Sequence, residues 1–237
     1  MGRELPPTSP YAADDGSCDP GLARALEAHG SRPGGAAAGV VAALAGARLL
    51  VPVVAYLDER AEPAAPGGVA GEKVASAAMV TLEGPDGRAV VPVFSSVAAV
   101  RAWRADARPI PVKTRRAALS AVTEAAGVLV LDPAGPVTVL VPRPAVWALA
   151  QGVPWVPALA DDGVRRVLAQ VAGSVPRVRD VEVLAGERAE VRVLLTLVPG
   201  LDRAALDDVV ARVSAALAAS EVVAERVDSL ELRIRAS

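Results

Sequence analysis

The fold of the first half of the chain is decided by residues 84–103, which read GPDGRAVVPVFSSVAAVRAW. Residues 84–87, Gly-Pro-Asp-Gly, predict a turn, because proline presets φ and glycine accepts a positive φ. The apolar residues 89–94 predict a strand leaving this turn, and the extended stretch 77–83 predicts the strand that enters it. The stretch therefore indicates an antiparallel hairpin.

A helix is predicted directly after the hairpin. The hydroxyl of Ser95 or Ser96 can accept a hydrogen bond from the backbone amides of a first helical turn. Val97, Val100 and Trp103 then recur at the spacing of one helix face.

Further helices and strands are predicted on both sides of this stretch. They are helices near 22–26, over 36–47 and after Pro144, a buried strand at 49–54, a short strand or linker at 109–112, and a second hairpin of 128–131 with 137–141. Thr114 is predicted to cap one more helix, which turns Leu119 and Val122 inward and ends at Gly127.

The second half of the chain shows a clear order of elements. A helix at 161–173, strands at 178–184 and 189–198, a helix capped by Asp202 and a strand over 222–234 predict the order α-β-β-α-β. This order predicts a small antiparallel sheet that two helices cover on one face.

The fold class predicted for the whole chain is therefore α+β, with two domains, each a small mostly antiparallel or mixed sheet packed with helices. Residues 1–20 lack periodicity and predict a mobile tail, and residues 21–151 form the first domain. Two prolines near residue 155 favour a linker at 152–160, and residues 161–237 form the second domain.

Composition limits the classes of function. A formal net charge of −2 gives no attraction for nucleic acid or for an anionic membrane surface, so we expect neither partner. The longest apolar stretches fall short of the ~20 residues of a spanning helix, and residues 1–20 do not resemble a secretory signal. A single cysteine excludes an internal disulfide, and we expect a cytoplasmic protein.

The residue types needed for ordinary active-site chemistry are scarce. His29 is the only histidine and Cys18 the only cysteine, and both fall in segments predicted to be exposed or weakly structured. We interpret them as a surface imidazole and an incidental thiol. Asp161-Asp162 and Asp207-Asp208 are interpreted as helix N-terminal charges, so no catalytic residue, metal site or cofactor is predicted.

Two clusters are candidate binding sites. Lys113, Thr114, Arg115 and Arg116 place positive charge at a helix N-terminus, which suggests an anion site; the alternative is an ordinary solvated basic turn. The second cluster is a candidate protein-binding surface formed by Ser95, Ser96, Arg101, Trp103 and Arg104, because Trp and Arg dominate interface hot spots. The alternative is that Trp103 fills the core of a domain poor in aromatic residues.

Three motifs together resemble the N-terminal domain of the SseB (enhanced serine sensitivity) family. They are LVPV at 50–53, VPVFSS at 91–96 with VRAW at 100–103, and VLDPAGP at 130–136. The resemblance covers about residues 36–151, and residues 161–234 are similar to the family's C-terminal domain in length and element order. It implies no catalytic residue and no cofactor, because the family has none established.

Two functions from different classes follow. The first is a non-catalytic interaction or regulatory module whose partner is a protein. The second is a sensor or weak enzyme that holds an anionic small molecule at residues 113–116. The sequence leaves the partner's identity and the oligomeric state open, homo-oligomers included.

Overall fold

The computed structural model describes residues 10–31, 37–54, 80–84, 87–124 and 127–235, without the side chain of Glu124. The chain divides into two compact units. The first comprises residues 1–141 and 149–153, and the second comprises residues 142–148 and 154–237. The change from the first unit to the second between residues 153 and 154 falls inside the segment predicted as a linker.

The first unit begins with two helices and a strand, α1 (Pro20–Gly30), α2 (Ala38–Leu44) and β1 (Arg48–Val53). Asp19 caps α1, since its carboxylate accepts hydrogen bonds from the amides of Gly21 and Leu22. Leu49 and Leu50 of β1 are almost fully buried, in agreement with the buried strand predicted there.

The predicted hairpin and the helix after it are confirmed. Strands β2 (Leu82–Glu83) and β3 (Ala89–Val93) pair antiparallel, and Gly87 between them has φ +78°. Helix α3 (Val97–Trp103) follows, and Ser96 is the residue that caps it. Residues 77–79 of the predicted first strand and residues 85–86 of the turn lie outside the described residues.

The first unit continues with a strand, a helix and the second hairpin: β4 (Arg108–Lys113), α4 (Thr114–Glu124), β5 (Leu129–Leu131) and β6 (Val139–Val141). Helix α5 (Arg143–Gln151) comes next, and the division between the units falls within it. Two details of α4 were predicted wrongly. Thr114 is its first residue and not its cap, and Leu119 is 48% exposed because three alanines, Ala117, Ala118 and Ala121, form the buried side.

Two small sheets lie side by side in this unit. One pairs β1 with β4 antiparallel, and the other has the order β2-β3-β5-β6, in which β3 and β5 are parallel. Leu50 and Phe94 join them by exchanging backbone hydrogen bonds of 2.9 Å in both directions. Phe94 is fully buried there and packs with Leu50, Val54 and Val100.

The predicted mobile tail is too long, because residues 10–19 make specific contacts with the first unit. Asp14 forms an ion pair with Arg48, and the carbonyl of Gly16 accepts a hydrogen bond from the amide of Val97. The sequence did not show this because the contacts join residues far apart in the chain. Residues 1–9 lie outside the described residues.

The second unit contains α6 (Asp162–Gly173), β7 (Val178–Ala185), β8 (Val191–Leu197), α7 (Arg203–Ala218), α8 (Glu221–Arg226) and β9 (Leu230–Ile234). A short 3-10 helix, Ala158–Ala160, precedes α6. The inward residues of β8 and the apolar stripes of α6 and α7 form one core, as predicted.

The last predicted strand starts too early. Residues 221–226 form α8, and only residues 230–234 form the strand. Val223 and Val227 are buried four residues apart, which is a helical spacing, whereas the alternation typical of a strand begins at Leu230. The predicted antiparallel sheet is wrong in one pairing: β8 and β9 run parallel, which the long connection through α7 and α8 permits, so the sheet β7-β8-β9 is mixed.

Both units combine helices with small mixed or antiparallel sheets, so the α+β class is confirmed. Among the helices of the described ranges, none combines the length and the apolar character that crossing a bilayer requires.

Candidate functional site

A network of polar groups ties the N-terminal segment to the junction of β3 and α3. The guanidinium of Arg48 donates to both carboxylate oxygens of Asp14, with 2.7 Å between Nη2 and Oδ1. It also donates to the carbonyl oxygens of Ser95 at 2.8 Å and Ser17 at 2.7 Å. The hydrogen bond from Arg48 lowers the pKa of Asp14 from its ordinary value. This pair therefore stays ionised and holds the segment in place.

Ser95 and Asp132 form a second, buried part of this network. Each is 5% exposed. The hydroxyl of Ser95 donates to Oδ2 of Asp132 at 2.7 Å, and its amide donates to Oδ1 at 2.9 Å. Burial raises the pKa of the Asp132 carboxyl against the opposing effect of these hydrogen bonds. We name Asp14, Arg48, Ser95 and Asp132 the polar lock.

The backbone of Asp132 forms the first residue of a hydrogen-bonded turn. Its φ is +50°, a left-handed conformation that aspartate tolerates better than most residues. Its carbonyl oxygen accepts from the amide of Gly135 at 2.9 Å and from the hydroxyl of Thr138 at 2.8 Å. The Asp-Pro-Ala-Gly turn is thus held at its first residue, and the same side chain fixes Ser95.

Cys18 lies next to the polar lock. Ser95, Asp132 and Arg48 all act on its thiol, but burial is the largest influence and raises the pKa of Cys18 from its ordinary value. The thiol therefore stays protonated, whereas a nucleophilic cysteine needs an accessible thiolate. The hydroxyl of Ser95 donates its hydrogen bond to Asp132. Within the described ranges, no cluster of three or more His, Cys, Asp or Glu residues could hold a metal ion.

The five residues predicted as a protein-binding surface do not form one patch. Ser95 is buried in the polar lock, and Ser96 accepts a hydrogen bond from the amide of Ala99 to cap α3. The ring of Trp103 lies 5.3 Å from the ring of Phe94 and packs against the core.

The two arginines of that predicted surface differ. Nε of Arg104 lies 2.8 Å from a carboxylate oxygen of Asp106, and both side chains are exposed. Arg101 is exposed on α3. What remains of the predicted surface is a pair of solvated cations beside a partly buried tryptophan.

The basic cluster at residues 113–116 is also divided between different tasks. Thr114 is 2% exposed, and its hydroxyl donates to the carbonyl of Ala47 at 2.9 Å. Nε of Arg115 donates to the carbonyl of Ala150 at 2.9 Å. Lys113 and Arg116 are exposed. Arg115 is exposed as well, so the structure removes only Thr114 from the surface and uses one donor of Arg115 within the fold.

A different surface of the first unit is open and apolar. Val51 pairs with Ile110 and Leu49 with Val112 in the β1–β4 register, so these residues share one face of the two-stranded sheet. Beside α4 this face forms a cavity of about 140 Å³, which we name the β1–β4 groove. Its lining residues are Val51, Val53, Val91, Ile110, Val112, Arg116, Ala117 and Ser120.

Apolar side chains in and near the groove remain exposed in the described part of the fold. Ile110 is 43% exposed and Leu119, on the neighbouring helix α4, is 48% exposed. Val51, Val53 and Val112 are half-buried. Ile110 lines the groove, whereas Leu119 is not among its lining residues. Apolar surface exposed in a groove is one mark of an interaction or ligand site, whereas single exposed apolar residues are ordinary.

Prolines shape the free edge of this sheet. Leu50 directs its amide and carbonyl to Phe94, so the alternate residues 49, 51 and 53 direct theirs to β4. The register then turns the backbone groups of Pro109 and Pro111 away from β1. In the described part of the chain no strand lies on that side of β4. Because proline has no amide proton, this edge lacks two of its donors and is protected against strand addition.

Positive charge is present at both ends of the groove. Arg116 lines it at the α4 end. Arg108 pairs with Val53 at the other end and leaves the sheet on the same face. Neither arginine has an ion-pair partner among the described residues.

The model of the SseB protein N-terminal domain matches residues 22–148, more than half of the chain. The chain belongs to the SseB family. The polar lock, except for Asp14, and the whole β1–β4 groove lie within the matched residues of this SseB protein. No curated protein and no solved structure matches the chain.

Sequence reasoning missed the groove in this SseB domain, although a signal was present. Valine or isoleucine alternates with proline in 51–53 and 109–112. Such alternation predicts an edge strand, in which the proline positions lie on the side where no backbone amide has to donate to a neighbouring strand. What the alternation does not give is that these two segments pair with each other, which places Val51 opposite Ile110.

The second unit holds a larger but more open cavity of about 480 Å³, lined by Asp162, Arg165, Arg166, Ala169, Val181 and Val183. Arg165 and Asp162 form an exposed ion pair with 2.8 Å between Nη2 and Oδ1. Such surface pairs contribute little. Asp207 and Asp208 form exposed ion pairs with Arg203 and Arg212, one turn away on α7.

Proposed function

We propose that this SseB protein is a non-catalytic, cytoplasmic interaction module that binds a protein partner through the β1–β4 groove. The observation that carries the proposal is the exposure of Ile110 in an apolar groove that the described part of the chain leaves open. Interface hot spots cluster in well-packed pockets, where the surrounding contacts exclude water.

The size of the groove favours a protein over a metabolite. Pockets that enclose small molecules have volumes of about 300–1,000 Å³, whereas this groove has about 140 Å³. A volume of this size admits a side chain of a partner, not a whole ligand. The lining residues are mainly aliphatic, which suits such an anchor.

The polar lock supports a non-catalytic role. Its hydrogen-bonding groups are used by one another, and the pKa of the Cys18 thiol is raised rather than lowered. Nucleophilic catalysis by a cysteine needs a lowered thiol pKa, and the shift at Cys18 has the opposite direction.

The proposal is tested by site-specific photo-crosslinking in the native cells. A photoreactive residue at position 110 should give one reproducible conjugate, and the same residue at position 140 should not. Leu140 is the matched control, because it is 37% exposed on β6 of the same unit. The conjugated protein is then identified, purified and titrated with wild type and Ile110→Glu. Loss of affinity in this variant supports the proposal, and equal affinity contradicts it.

The competing hypothesis of an anion at residues 113–116 has weaker support, because Thr114 is buried against Ala47 and one donor of Arg115 is used by Ala150. Thermal-shift measurements with inorganic phosphate and a set of anionic metabolites separate the two. A ligand at about 100 times its dissociation constant would stabilise the fold by about 2.7 kcal/mol. A shift that Arg116→Ala removes would favour the sensor over the interaction module.

We further propose that residues 161–237 correspond to the C-terminal domain of the SseB family. Their length and the succession of helix, two strands, helix and final strand support this assignment, with α8 as an addition. Expression of residues 154–237 alone tests whether they form an independent domain, as the separate core indicates. A cooperative unfolding transition is expected, and its absence would contradict the assignment of a self-contained domain.

A further inference from the structure

The partner's chemistry can be inferred from the charges around the β1–β4 groove, on the premise that the groove is the binding surface proposed above. We propose that the groove binds a partner segment in which an aliphatic anchor is flanked by carboxylates. Arg116 is the one charged side chain among the described residues that line the groove. The remaining lining is aliphatic apart from Ser120.

The two arginines fix where the carboxylates lie. Arg116 is at the α4 end of the groove, and Arg108 lies opposite Val53 at the far end. Most arginines of the second unit's sheet are paired with acids, for example Arg192 with Glu231 at 2.8 Å. Arg108 and Arg116 have no such pair in the ranges that the structure describes. A partner that lays an apolar residue between them would desolvate both cations, which favours carboxylates at its two sides.

The backbone of β4 decides how the segment binds. Pro109 and Pro111 remove the donors that an added strand would need at the outer edge. The segment therefore binds with its side chains on the face of the sheet, as an amphipathic helix or turn does, and not as a further strand. This excludes recognition that depends on main-chain pairing.

The direct test uses the full-length protein and a fluorescent peptide of about twelve residues, with leucines at helical i, i+3 and i+4 spacing and glutamates elsewhere. A matched peptide carries lysine in place of glutamate. We expect the glutamate peptide to bind saturably and the lysine peptide to bind at least about tenfold more weakly. Affinity for the glutamate peptide should fall several-fold between about 50 and about 300 mM salt, because salt screens exposed charges.

Substitutions locate the binding. Ile110→Glu should lower the affinity for the glutamate peptide at least about tenfold, because it places an acid in the apolar contact. Arg116→Glu should have the same effect, because it reverses the charge at the end of the groove. Leu140→Glu and Arg101→Glu are the controls for an exposed apolar and an exposed basic residue of the same unit. They should leave the affinity unchanged, and unchanged unfolding curves for all four variants would exclude loss of the fold.

Amide chemical shifts complete the test. The glutamate peptide should move the amides of Val51, Ile110 and Val112. Equal affinity for both peptides, or shifts confined to another surface, would overturn the inference. A dimer that Ile110→Glu dissociates would also overturn it, by showing that a second copy occupies the groove.

The outcomes separate this inference from the proposed function. If binding of the crosslinked partner depends on Ile110 but not on Arg108 or Arg116, the groove is the interface. Only the inference that the partner carries flanking carboxylates is then wrong. If the partner is insensitive to Ile110→Glu, the proposed function itself fails.

Discussion

The polar lock and the β1–β4 groove lie in the same unit and use the same strand β1, but they differ in how completely their groups are satisfied. Arg48, at the start of β1, donates four hydrogen bonds to neighbours within the fold. Val51 and Val53, a few residues later, remain half-buried beside an exposed isoleucine. Groups that already have partners stabilise the domain, whereas those left open are available for recognition. We therefore expect substitutions in the polar lock to lower the free energy of unfolding, and substitutions in the groove to lower the affinity for the partner.

The largest effect is expected from Asp132→Ala. The substitution leaves the hydroxyl and the amide of Ser95 buried without an acceptor and places alanine at φ +50°. A buried unsatisfied group costs about 1–3 kcal/mol, so we expect a loss of about 3 kcal/mol in the free energy of unfolding. Urea titration followed by circular dichroism measures it. A loss below about 1 kcal/mol would show that the buried pair contributes little.

Trp103→Ala is expected to cost about 2 kcal/mol, because the ring packs on Phe94 and on the core but keeps some exposure. Thermal melting and partner affinity should be measured together. A lower melting temperature with unchanged affinity identifies a core residue. Unchanged melting with lost affinity would instead restore the predicted role of Trp103 in the interface.

Arg48→Met should reduce stability by about 1 kcal/mol at neutral pH, because it keeps the apolar stem but removes the pairing with Asp14. Since the pKa of Asp14 is lowered in the folded state, its contribution is present above the ordinary aspartate range and is lost as pH falls through the folded pKa. The difference between variant and wild type should therefore shrink in acid. Unfolding curves at several pH values check this, and a constant difference would contradict it.

The smallest effect on stability is expected from Ile110→Thr. The side chain is 43% exposed, and threonine keeps the β-branched shape that a strand favours. The change in the free energy of unfolding should stay within about 0.5 kcal/mol, while affinity for the partner falls clearly. Calorimetric titration beside thermal melting measures both. A large loss of stability would show that the groove belongs to the core.

Local sequence signals predicted much of the fold, for particular reasons. The Gly-Pro-Asp-Gly turn and the caps at Ser96 and Asp202 depend on residues only a few positions apart. These predictions are confirmed where the structure describes them. The start of the final strand was wrong because Val222 and Val223 suit a strand by propensity, and burial against the core selected a helix instead.

The candidate site was predicted less well, since its residues meet only through tertiary contacts. Ser95 was predicted as surface, but Asp132 from the second hairpin buries it. Asp14 was assigned to a tail, but the guanidinium of Arg48 holds its carboxylate. The local sequence around each of these residues does not indicate which residue it contacts in the fold, because that residue lies far away in the chain.

The sequence by itself determined the α+β class, the order of most helices and strands, and the scarcity of catalytic residue types. These depend on composition, periodicity and caps, which act over one or two turns of chain. Only the tertiary structure decided that β1 pairs with β4, which opens the groove, and that Asp132 closes over Ser95. Long-range pairing is selected by the burial of whole faces at once, so it cannot be derived from either segment alone.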